Sequence, residues 1–415
     1  MTKLLHQVKL LGENIPWLKE LRQNGRDAFA ALGIPNAKTE AWKYTKPNMF
    51  LTDEFETYSA GNSANYQYDF PFATYQITFI DGVFAPNMSD LPSEIEIIPL
   101  AEFVMFDIQA KKLIGNLVDI NKHPFAALNT AYLNEGIYIK ISENCKLTKP
   151  LALVYHSTCQ NQRPMSNIRN LIVLEKNAQT ELIEYFNYDG DQKSVYFNNV
   201  VNEIYIGDNA TLMHYKAQME AFKAIHLALN CVEIKKSGYY KSFCLQKGAD
   251  LARNESKVRL CDTQAKAEVN AAYMMNGWAT IDTTTNIEHL VAETFSDQLV
   301  KGVVGGQAKG IFQGCIHIEP NAIKTKGYQQ HRALLLTDEA EVDVKPELEI
   351  FADDVQCSHG SACGQLDAEQ LFYLRSRGLD EEEAKAMLVD AYLQEVIAKV
   401  DNEKIADWIK LLLQS

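Results

Sequence analysis

Three side chains that can bind a metal ion, Cys357, His359 and Cys363, lie close together near the end of the chain. The sequence before them, up to Val355, has the partly alternating apolar pattern of a strand, and a helical apolar spacing begins at Asp367. A thiolate and an imidazole two residues apart at the end of a rigid element can point into one shared site, which suits a metal ion, an iron–sulfur cluster or a sulfur-transfer step. The alternative is an ordinary structural role, because a single Cys-x-His spacing is common.

A second Cys-x-His pair, Cys315 and His317, lies upstream of the first. On a strand its two side chains would share one face. Buried cysteines most often act as small hydrophobic residues, so we favour a structural role for this pair. The glycines between Lys301 and Gly310 do not form a phosphate-binding loop, because the sequence contains no Gly-x-x-x-x-Gly-Lys-Ser/Thr motif and no helical pattern follows them. These glycines indicate turns.

The composition argues against several classes of partner. The 415-residue chain has a net charge of −14 and a pI of about 5.2, so it has no overall basic field to attract a nucleic-acid backbone. The first residues lack the apolar run and cleavage site of a signal peptide, and no stretch of about 18 apolar residues suggests a membrane span. The eight cysteines are scattered without a Cys-x-x-Cys pair, which indicates reduced thiols in a cytoplasmic protein.

One sequence theme recurs from about Ala126 to Lys345. A short β-branched or aromatic run is followed by a polar turn and a small residue, as in Lys176-Asn177-Ala178 and Asp208-Asn209-Ala210. Helical periodicity is almost absent between these runs, so the segment suits an all-β array in which small residues lie where stacked coils turn tightly. We therefore predict a mainly β protein with a right-handed parallel β-helix as the core, residues 126–364.

Helical regions are expected on both sides of this core. Residues 1–125 are predicted to form a helical and mixed N-terminal region, and residues 365–415 a C-terminal helical domain. At Asp380 an N-cap and a capping-box glutamate precede an apolar stripe. Because a solenoid needs caps at its ends, we expect the helices to provide them. Such a stripe most often packs in a core, but C-terminal helices with little core of their own to cover would use it as a docking surface.

The segment around Cys357 also resembles a known family. The stretches that show this similarity are Phe351–Val355, Cys357–Gly360, Gln365–Asp367 and Leu371–Gly378, together with Lys345-Pro346 and Thr39–Thr45. They resemble the signature of the SufD branch of the SufB/SufD family, the scaffold subunits of the SUF iron–sulfur cluster assembly machine. One departure is Ser361–Gly364, where the family pattern usually reads Ala-Thr-Val-Gly, so the pattern assigns no role to Cys363.

The resemblance implies a non-catalytic scaffold with a β-helical core between helical ends. The chain would pair with SufB through the β-helix, and His359 and then Cys357 would be the ligands of a transient iron–sulfur cluster or iron at that interface. No cofactor is expected in the isolated chain, which could form a homodimer. The SufC ATPase would supply nucleotide hydrolysis and would bind the C-terminal helices, with the expected contact residues Phe372, Tyr373, Arg375, Met387 and Tyr392.

Two other functions are compatible with parts of the sequence. A β-helical carbohydrate-active enzyme needs paired carboxylates along an open groove, but the adjacent Asp353 and Asp354 would point to opposite faces of a strand. A stand-alone metalloprotein built on Cys357, His359 and Cys363 would hold one metal ion tightly in the isolated chain.

Overall fold

The centre of the molecule is a stack of β-strand coils. The computed structural model describes residues 4–5, 10–36, 38–45, 54–57, 66–85, 94–158 and 163–414. The protein is mainly β, with a parallel β-solenoid of about 8 turns, helices towards both termini and 20% helix overall. The predicted β-helical fold class is therefore confirmed.

The elements are numbered in chain order. The strands are β1 (Glu56–Thr57), β2 (Tyr75–Ile80), β3 (Val83–Ala85), β4 (Ile95–Pro99), β5 (Ile137–Ile141), β6 (Leu151–Ser157), β7 (Pro164–Leu174), β8 (Gln179–Tyr188), β9 (Phe197–Ile206), β10 (Thr211–Glu220), β11 (Ile225–Ile234), β12 (Tyr239–Gly248), β13 (Leu251–Leu260), β14 (Lys266–Met275), β15 (Thr280–His289), β16 (Phe295–Val304), β17 (Lys309–Ile318), β18 (Thr325–Leu335), β19 (Glu341–Ile350) and β20 (Val355–Gln365). The helices are α1 (Pro16–Leu32), α2 (Leu100–Phe106), α3 (Ala110–Leu113), α4 (Pro124–Ala131), α5 (Ala368–Ser376), α6 (Glu381–Ile397) and α7 (Glu403–Gln414), with a 3₁₀ turn at Glu40–Trp42.

Successive strands of the solenoid alternate between two sheets. Sheet A has the order β19-β17-β15-β13-β11-β9-β7-β5-β4, and sheet B has the order β20-β18-β16-β14-β12-β10-β8-β6-β2-β3. The pairs within the coils are parallel, whereas β3 and β4 pair antiparallel with β2 and β5. Strands β2 to β4, which precede the long β segment of the sequence, thus complete one end of the two sheets.

The corner turns explain the recurring small residues. Asn144, Asn177 and Asn209 have positive φ angles of 62°, 59° and 55°, a conformation that asparagine adopts more readily than most residues. The alanines that follow the last two, Ala178 and Ala210, are fully buried. Asn209 Nδ2 donates to Asn177 Oδ1 at 3.2 Å, and Asn177 Nδ2 donates to Asn144 Oδ1 at 2.7 Å. The tight turns predicted from these residues are therefore present, and they bond to one another from coil to coil.

Polar side chains fill part of the solenoid interior. Asn170 Nδ2 donates to Asn202 Oδ1 (2.8 Å), 32 residues away, and Asn202 Nδ2 donates to Asn230 Oδ1 (2.7 Å), 28 residues away. Glu184 accepts hydrogen bonds from Asn202 and from His214 Nε2 (3.0 Å). Burial opposes ionisation of this carboxyl, but the hydrogen bond and charge of His214 hold the pKa of Glu184 at about 2. The interior is therefore an ordered polar network as well as an apolar core.

The N-terminal helices lie against the outer face of sheet A. Phe103 on α2 stacks on Tyr138 of β5, with ring centroids 3.9 Å apart. Below the helices, Arg169 Nη2 lies 2.8 Å from Glu203 Oε1, and both side chains are almost fully buried. Glu203 also accepts the Gly115 N–H at 2.8 Å. A buried ion pair with additional hydrogen bonds thus joins the N-terminal region to sheet A. No helix in the described ranges is long and apolar enough to cross a membrane.

Helices α6 and α7 lie along the outer face of sheet B. The side chains of Leu393 and Trp408 are buried in one cluster with Tyr185 and Phe243 of the sheet. Asp380 forms the predicted capping box with Glu383, since each residue accepts the backbone N–H of the other. The expectation that the C-terminal helices cap the end of the solenoid is wrong, because their apolar stripe covers sheet B instead.

Candidate ligand site at the open end of the solenoid

The three potential ligands lie on β20, the last strand of sheet B. Within the described ranges β20 pairs with β18 and has no strand on its other side. Nearly all of its residues are exposed, because the coil to which it belongs is the last one. The parallel register sets three pairs side by side, which are Cys357 with Gly327, His359 with Gln329 and Cys363 with Ala333.

Cys357, His359 and Cys363 share one face of β20. Side chains alternate along a strand, so the odd-numbered residues point the same way. On the neighbouring strand β18, the odd-numbered Gln329 and His331 are 3% and 0% exposed, whereas the even-numbered residues that flank them, Tyr328, Gln330 and Arg332, are more accessible. The three side chains therefore continue the interior face of the solenoid at the point where the stack ends.

The two thiols of this face have different surroundings. Cys357 is half-buried and packs against the small apolar cluster of Ile316, Ile318 and Ala352, whereas Cys363 is exposed. Partial burial raises the pKa of both thiols. Since the thiolate is the form that binds metals, neither sulfur is activated in the isolated chain.

The structure does not bring all three side chains into one site. Cys357 and Cys363 are six residues apart on one strand, which corresponds to about 20 Å. In the part of the chain that is described, no three His, Cys, Asp or Glu side chains are grouped closely enough to hold a metal ion. The alternative of a stand-alone metal site on these residues therefore has no support in the described structure.

Cys315 and His317 lie on β17 and share the outer face of sheet A. His317 Nδ1 is 2.8 Å from Glu349 Oε2 and its Nε2 is 3.4 Å from Glu319 Oε1. The hydrogen bond to Glu349 raises the pKa of His317, and burial raises the pKa of Cys315 to about 11. This pair is thus engaged in contacts between strands, in agreement with the structural role favoured from the sequence.

The neighbouring edge strand, β19, is less open to pairing than β20. The Glu341 N–H donates to Ala308 O (3.1 Å) of the preceding coil, so odd-numbered residues of β19 bond inward and even-numbered residues face the free edge. Pro346 is even-numbered and therefore leaves a gap in the row of N–H donors at that edge. Lys345 of β19 forms an ion pair with Glu40, Nζ to Oε1 at 2.9 Å.

The family-like segment near Glu40 is an anchor on the outer face of sheet A. Trp42 is buried, and the guanidinium of Arg253 lies 4.6 Å from the centre of its ring. Arg253 also forms an ion pair with Asp282, and Thr45 Oγ1 donates to the same carboxylate at 2.5 Å. Sequence reasoning missed Arg253 and Asp282, because nothing local links them to a segment more than 200 residues earlier.

The residues predicted to dock the ATPase lie on α5 and α6. Phe372, Tyr373 and Met387 are 74%, 57% and 49% exposed, and Arg375 is also exposed. Tyr392 is different: it is half-buried between α6 and sheet B, and Lys301 Nζ lies 4.2 Å from the centre of its ring. Four of the five side chains are therefore accessible, whereas Tyr392 takes part in packing.

Comparison with known proteins places this architecture in a family. The family model described as SUF system FeS cluster assembly, SufBD core domain, matches residues 156–392, and that of the SufBD protein N-terminal region matches residues 6–153. The chain belongs to the SufBD family. The resemblance seen in the sequence is thus confirmed, and the open end with Cys357 and His359 lies within the SufBD core domain.

Three relatives illustrate the extent of the similarity. An iron–sulfur cluster assembly SufBD family protein of Synechocystis sp. is 30% identical over 411 residues, which cover 96% of this chain and 90% of that protein. The iron–sulfur cluster assembly protein SufD of Escherichia coli is 28% identical over 377 residues, 89% of this chain and 86% of that protein. SufD of Bacillus subtilis is 26% identical over 302 residues, 72% of this chain and 68% of that protein. The chain is accordingly a SufBD family protein of iron–sulfur cluster assembly.

Proposed function

We propose that this SufBD protein is a non-catalytic scaffold of the SufD type, which pairs with SufB at the open end of its solenoid and binds the SufC ATPase through its C-terminal helices. The observation that supports this most strongly is the exposed edge of β20, the strand that carries His359 and Cys357, since β20 pairs with β18 on one side and with no strand on the other in the described structure. An exposed edge strand is a template for pairing with another chain, so a partner there would be brought directly onto the ligands.

The chemistry of the two side chains suits a cluster that must be released. His359 is the proposed principal ligand and Cys357 the second. Thiolate ligands favour iron–sulfur clusters, whereas an imidazole is a ligand of intermediate softness, so a site with a histidine is expected to hold its cluster less tightly than four thiolates. The cluster or iron is cargo, and SufB would supply the remaining ligands.

The proposed site of the SufC ATPase is on the helices at the outer face of sheet B, whereas His359 and Cys357 continue its inner face. SufC would contact the accessible residues Phe372, Tyr373, Arg375 and Met387 on α5 and α6. Because α6 and α7 are packed on sheet B, movement of two ATPase copies against each other would be transmitted to the paired solenoids as a shear, a known type of conformational change. Such a shear would open and close the ligand site at the junction.

Co-expression with SufB and SufC provides the test. The purified complex should contain all three proteins, and His359→Ala should leave the complex assembled while lowering its iron and acid-labile sulfide. His317→Ala is the matched control, because His317 belongs to the other Cys-x-His pair but lies on the outer face of sheet A. Unchanged iron and sulfide in the His359→Ala complex would disprove the ligand assignment, and failure of the wild-type chain to copurify with SufB would disprove the pairing.

A further inference from the structure

His331 is a buried histidine whose two ring nitrogens have different surroundings. Its side chain is 0% exposed, and its Nε2 lies 2.9 Å from the Tyr273 hydroxyl. In the described part of the chain its Nδ1 has no hydrogen-bond partner. A buried polar atom without a partner is costly, so its presence needs an explanation. Binding of an ion at Nδ1 would provide one.

The ring of His331 is held in a fixed orientation. Tyr273 is two strands deeper in sheet B, and its ring crosses the intervening strand at Gly302, where a Cβ would lie 1.9 Å from Tyr273 Cζ. Phe312 of sheet A stacks on the imidazole, with ring centroids 5.1 Å apart. Because Nε2 is directed towards Tyr273 in the deeper coil, Nδ1 is on the side of the ring away from that coil. The next strand on that side is β20.

Cys363 of β20 is a soft ligand close to this nitrogen. His331 is in register with Ser361, and Cys363 follows two residues later on the same face. The spacing of strands and of residues along them separates the Cα atoms of His331 and Cys363 by about 8 Å. Metal–nitrogen bonds of about 2.1 Å and metal–sulfur bonds of about 2.3 Å allow both side chains to reach one ion across this distance. Cys363 is also close enough to Tyr273 for its charge to raise the pKa of that hydroxyl, after the larger effects of burial and Tyr392.

We propose that His331 Nδ1 and Cys363 Sγ bind a divalent metal ion that prefers nitrogen and sulfur ligands, such as zinc, at the open end of the solenoid. The Cys363 thiol releases its proton on binding. The neutral imidazole donates its Nε2–H to the Tyr273 oxygen, which fixes the tautomer in which Nδ1 is unprotonated. The Cys363 side of the site is exposed, so water or a neighbouring chain would occupy the remaining coordination positions.

This site is separate from the ligands proposed for the cluster. His359 lies on the opposite diagonal from His331 and is four residues from Cys363, about 13 Å along the strand. Cys357 is farther from Cys363 still. One ion bound to Cys363 therefore cannot reach either of them directly. The inference does not depend on the proposed function, and it gives a role to Cys363, to which the family pattern assigns none.

The experiment is a titration of the reduced full-length chain with Co²⁺ under anaerobic conditions, because Co²⁺ substitutes for zinc and reveals its ligands by absorption. A thiolate-to-cobalt charge-transfer band should saturate at one Co²⁺ per chain. Cys363→Ser should remove the band. Tyr273→Phe should weaken binding by about 10–100-fold, and His331→Gln should weaken it further.

Control variants separate this site from the other cysteines. Cys315→Ser is the matched control, because Cys315 belongs to the other Cys-x-His pair and should bind Co²⁺ as the wild type does. Circular dichroism shows whether the variants of the buried residues His331 and Tyr273 are folded. Cys363→Ser changes an exposed side chain, so the main comparison does not depend on a core substitution.

The inference fails if the wild-type chain shows no such band or if the band persists in Cys363→Ser. It also fails if folded His331→Gln binds Co²⁺ as tightly as the wild type. A band that is lost in Cys357→Ser and retained in Cys363→Ser would place the ion at the proposed cluster ligands instead. All of these results are obtained with the isolated chain, so they are independent of SufB, SufC and the iron content of the complex.

Discussion

His359 lies in register with Gln329, one coil deeper in sheet B, and the two side chains face the same way. Gln329 is 3% exposed, and no hydrogen-bond partner is found for its Oε1 in the described part of the chain. A buried acceptor without a partner is costly. We therefore expect Gln329 to accept an N–H from the imidazole of His359 on the adjacent strand and so to orient that ring.

Replacement of Gln329 tests this relationship. Gln329→Met keeps the volume of the side chain but removes the acceptor, so the complex with SufB and SufC should assemble while its iron is lost to a chelator several times faster than from the wild type. Gln330→Met, on the opposite face of β18, should behave as the wild type. Equal rates for the two variants would show that Gln329 has no role in positioning His359.

The buried pair Arg169 and Glu203 should be important for stability. Glu203→Ala leaves a buried guanidinium without its carboxylate and removes the acceptor of the Gly115 N–H, so we expect a loss of about 3–5 kcal/mol. Urea unfolding followed by circular dichroism measures the effect. The exposed pair of Glu381 and Lys385 provides the comparison, since Glu381→Gln should leave the midpoint unchanged. Similar midpoints for the two variants would contradict this prediction.

Two buried histidines should make the protein less stable in acid. Burial lowers the pKa of His289 to about 3 and that of His331 to about 4, whereas an unfolded chain has a value of about 6.5. The unfolded state therefore binds these protons first, so the stabilisation is complete above pH 6.5 and declines as the pH falls towards 4.

The contribution of His331 to this pH dependence of stability can be measured with a variant. His331→Phe removes one of the rings whose pKa burial lowers, so the free energy of unfolding of the variant should fall less steeply between pH 6.5 and 4, by up to about 1.4 kcal/mol per pH unit. The comparison uses slopes, because the variant also loses the contact of His331 with the Tyr273 hydroxyl (2.9 Å) and has a lower stability at every pH. Parallel curves for the variant and the wild type would refute the assignment.

Substitutions in the C-terminal helices can distinguish residues that bind SufC from residues that pack the helices on sheet B. Phe372→Ala and Tyr373→Ala remove exposed rings, so they should reduce the SufC that copurifies with the chain and leave its melting temperature unchanged. Tyr392→Ala removes a half-buried ring beneath Lys301 and should lower the melting temperature by several degrees. Normal SufC binding by the double variant of Phe372 and Tyr373 would place the ATPase elsewhere.

The sequence predicted those parts of the fold that depend on neighbouring residues. Asparagine before a small residue, as in Asn177-Ala178, indicates a tight corner because both properties act within one turn. The capping box at Asp380 is local in the same way. The face shared by Cys357 and His359 follows from the alternation of a strand.

The sequence did not predict features formed by distant residues. The interior ladder of Asn170, Asn202 and Asn230 consists of polar residues that an alternating pattern assigns to the solvent side. The position of α6 and α7 against sheet B depends on pairings such as that of Trp408 with Tyr185, for which the chain offers no local signal. For the same reason, only the structure revealed Gln329 beneath His359.

The edge strands at the two ends of the solenoid differ in how open they are to further pairing. At one end β3 has only three residues and runs antiparallel to β2, and β4 runs antiparallel to β5 and ends at Pro99. Short strands and prolines discourage further pairing, whereas β20 at the other end is long and free. Only one end of the solenoid therefore presents a long unpaired strand edge in the described structure, so pairing at that edge would join two solenoids and could not continue into a fibre.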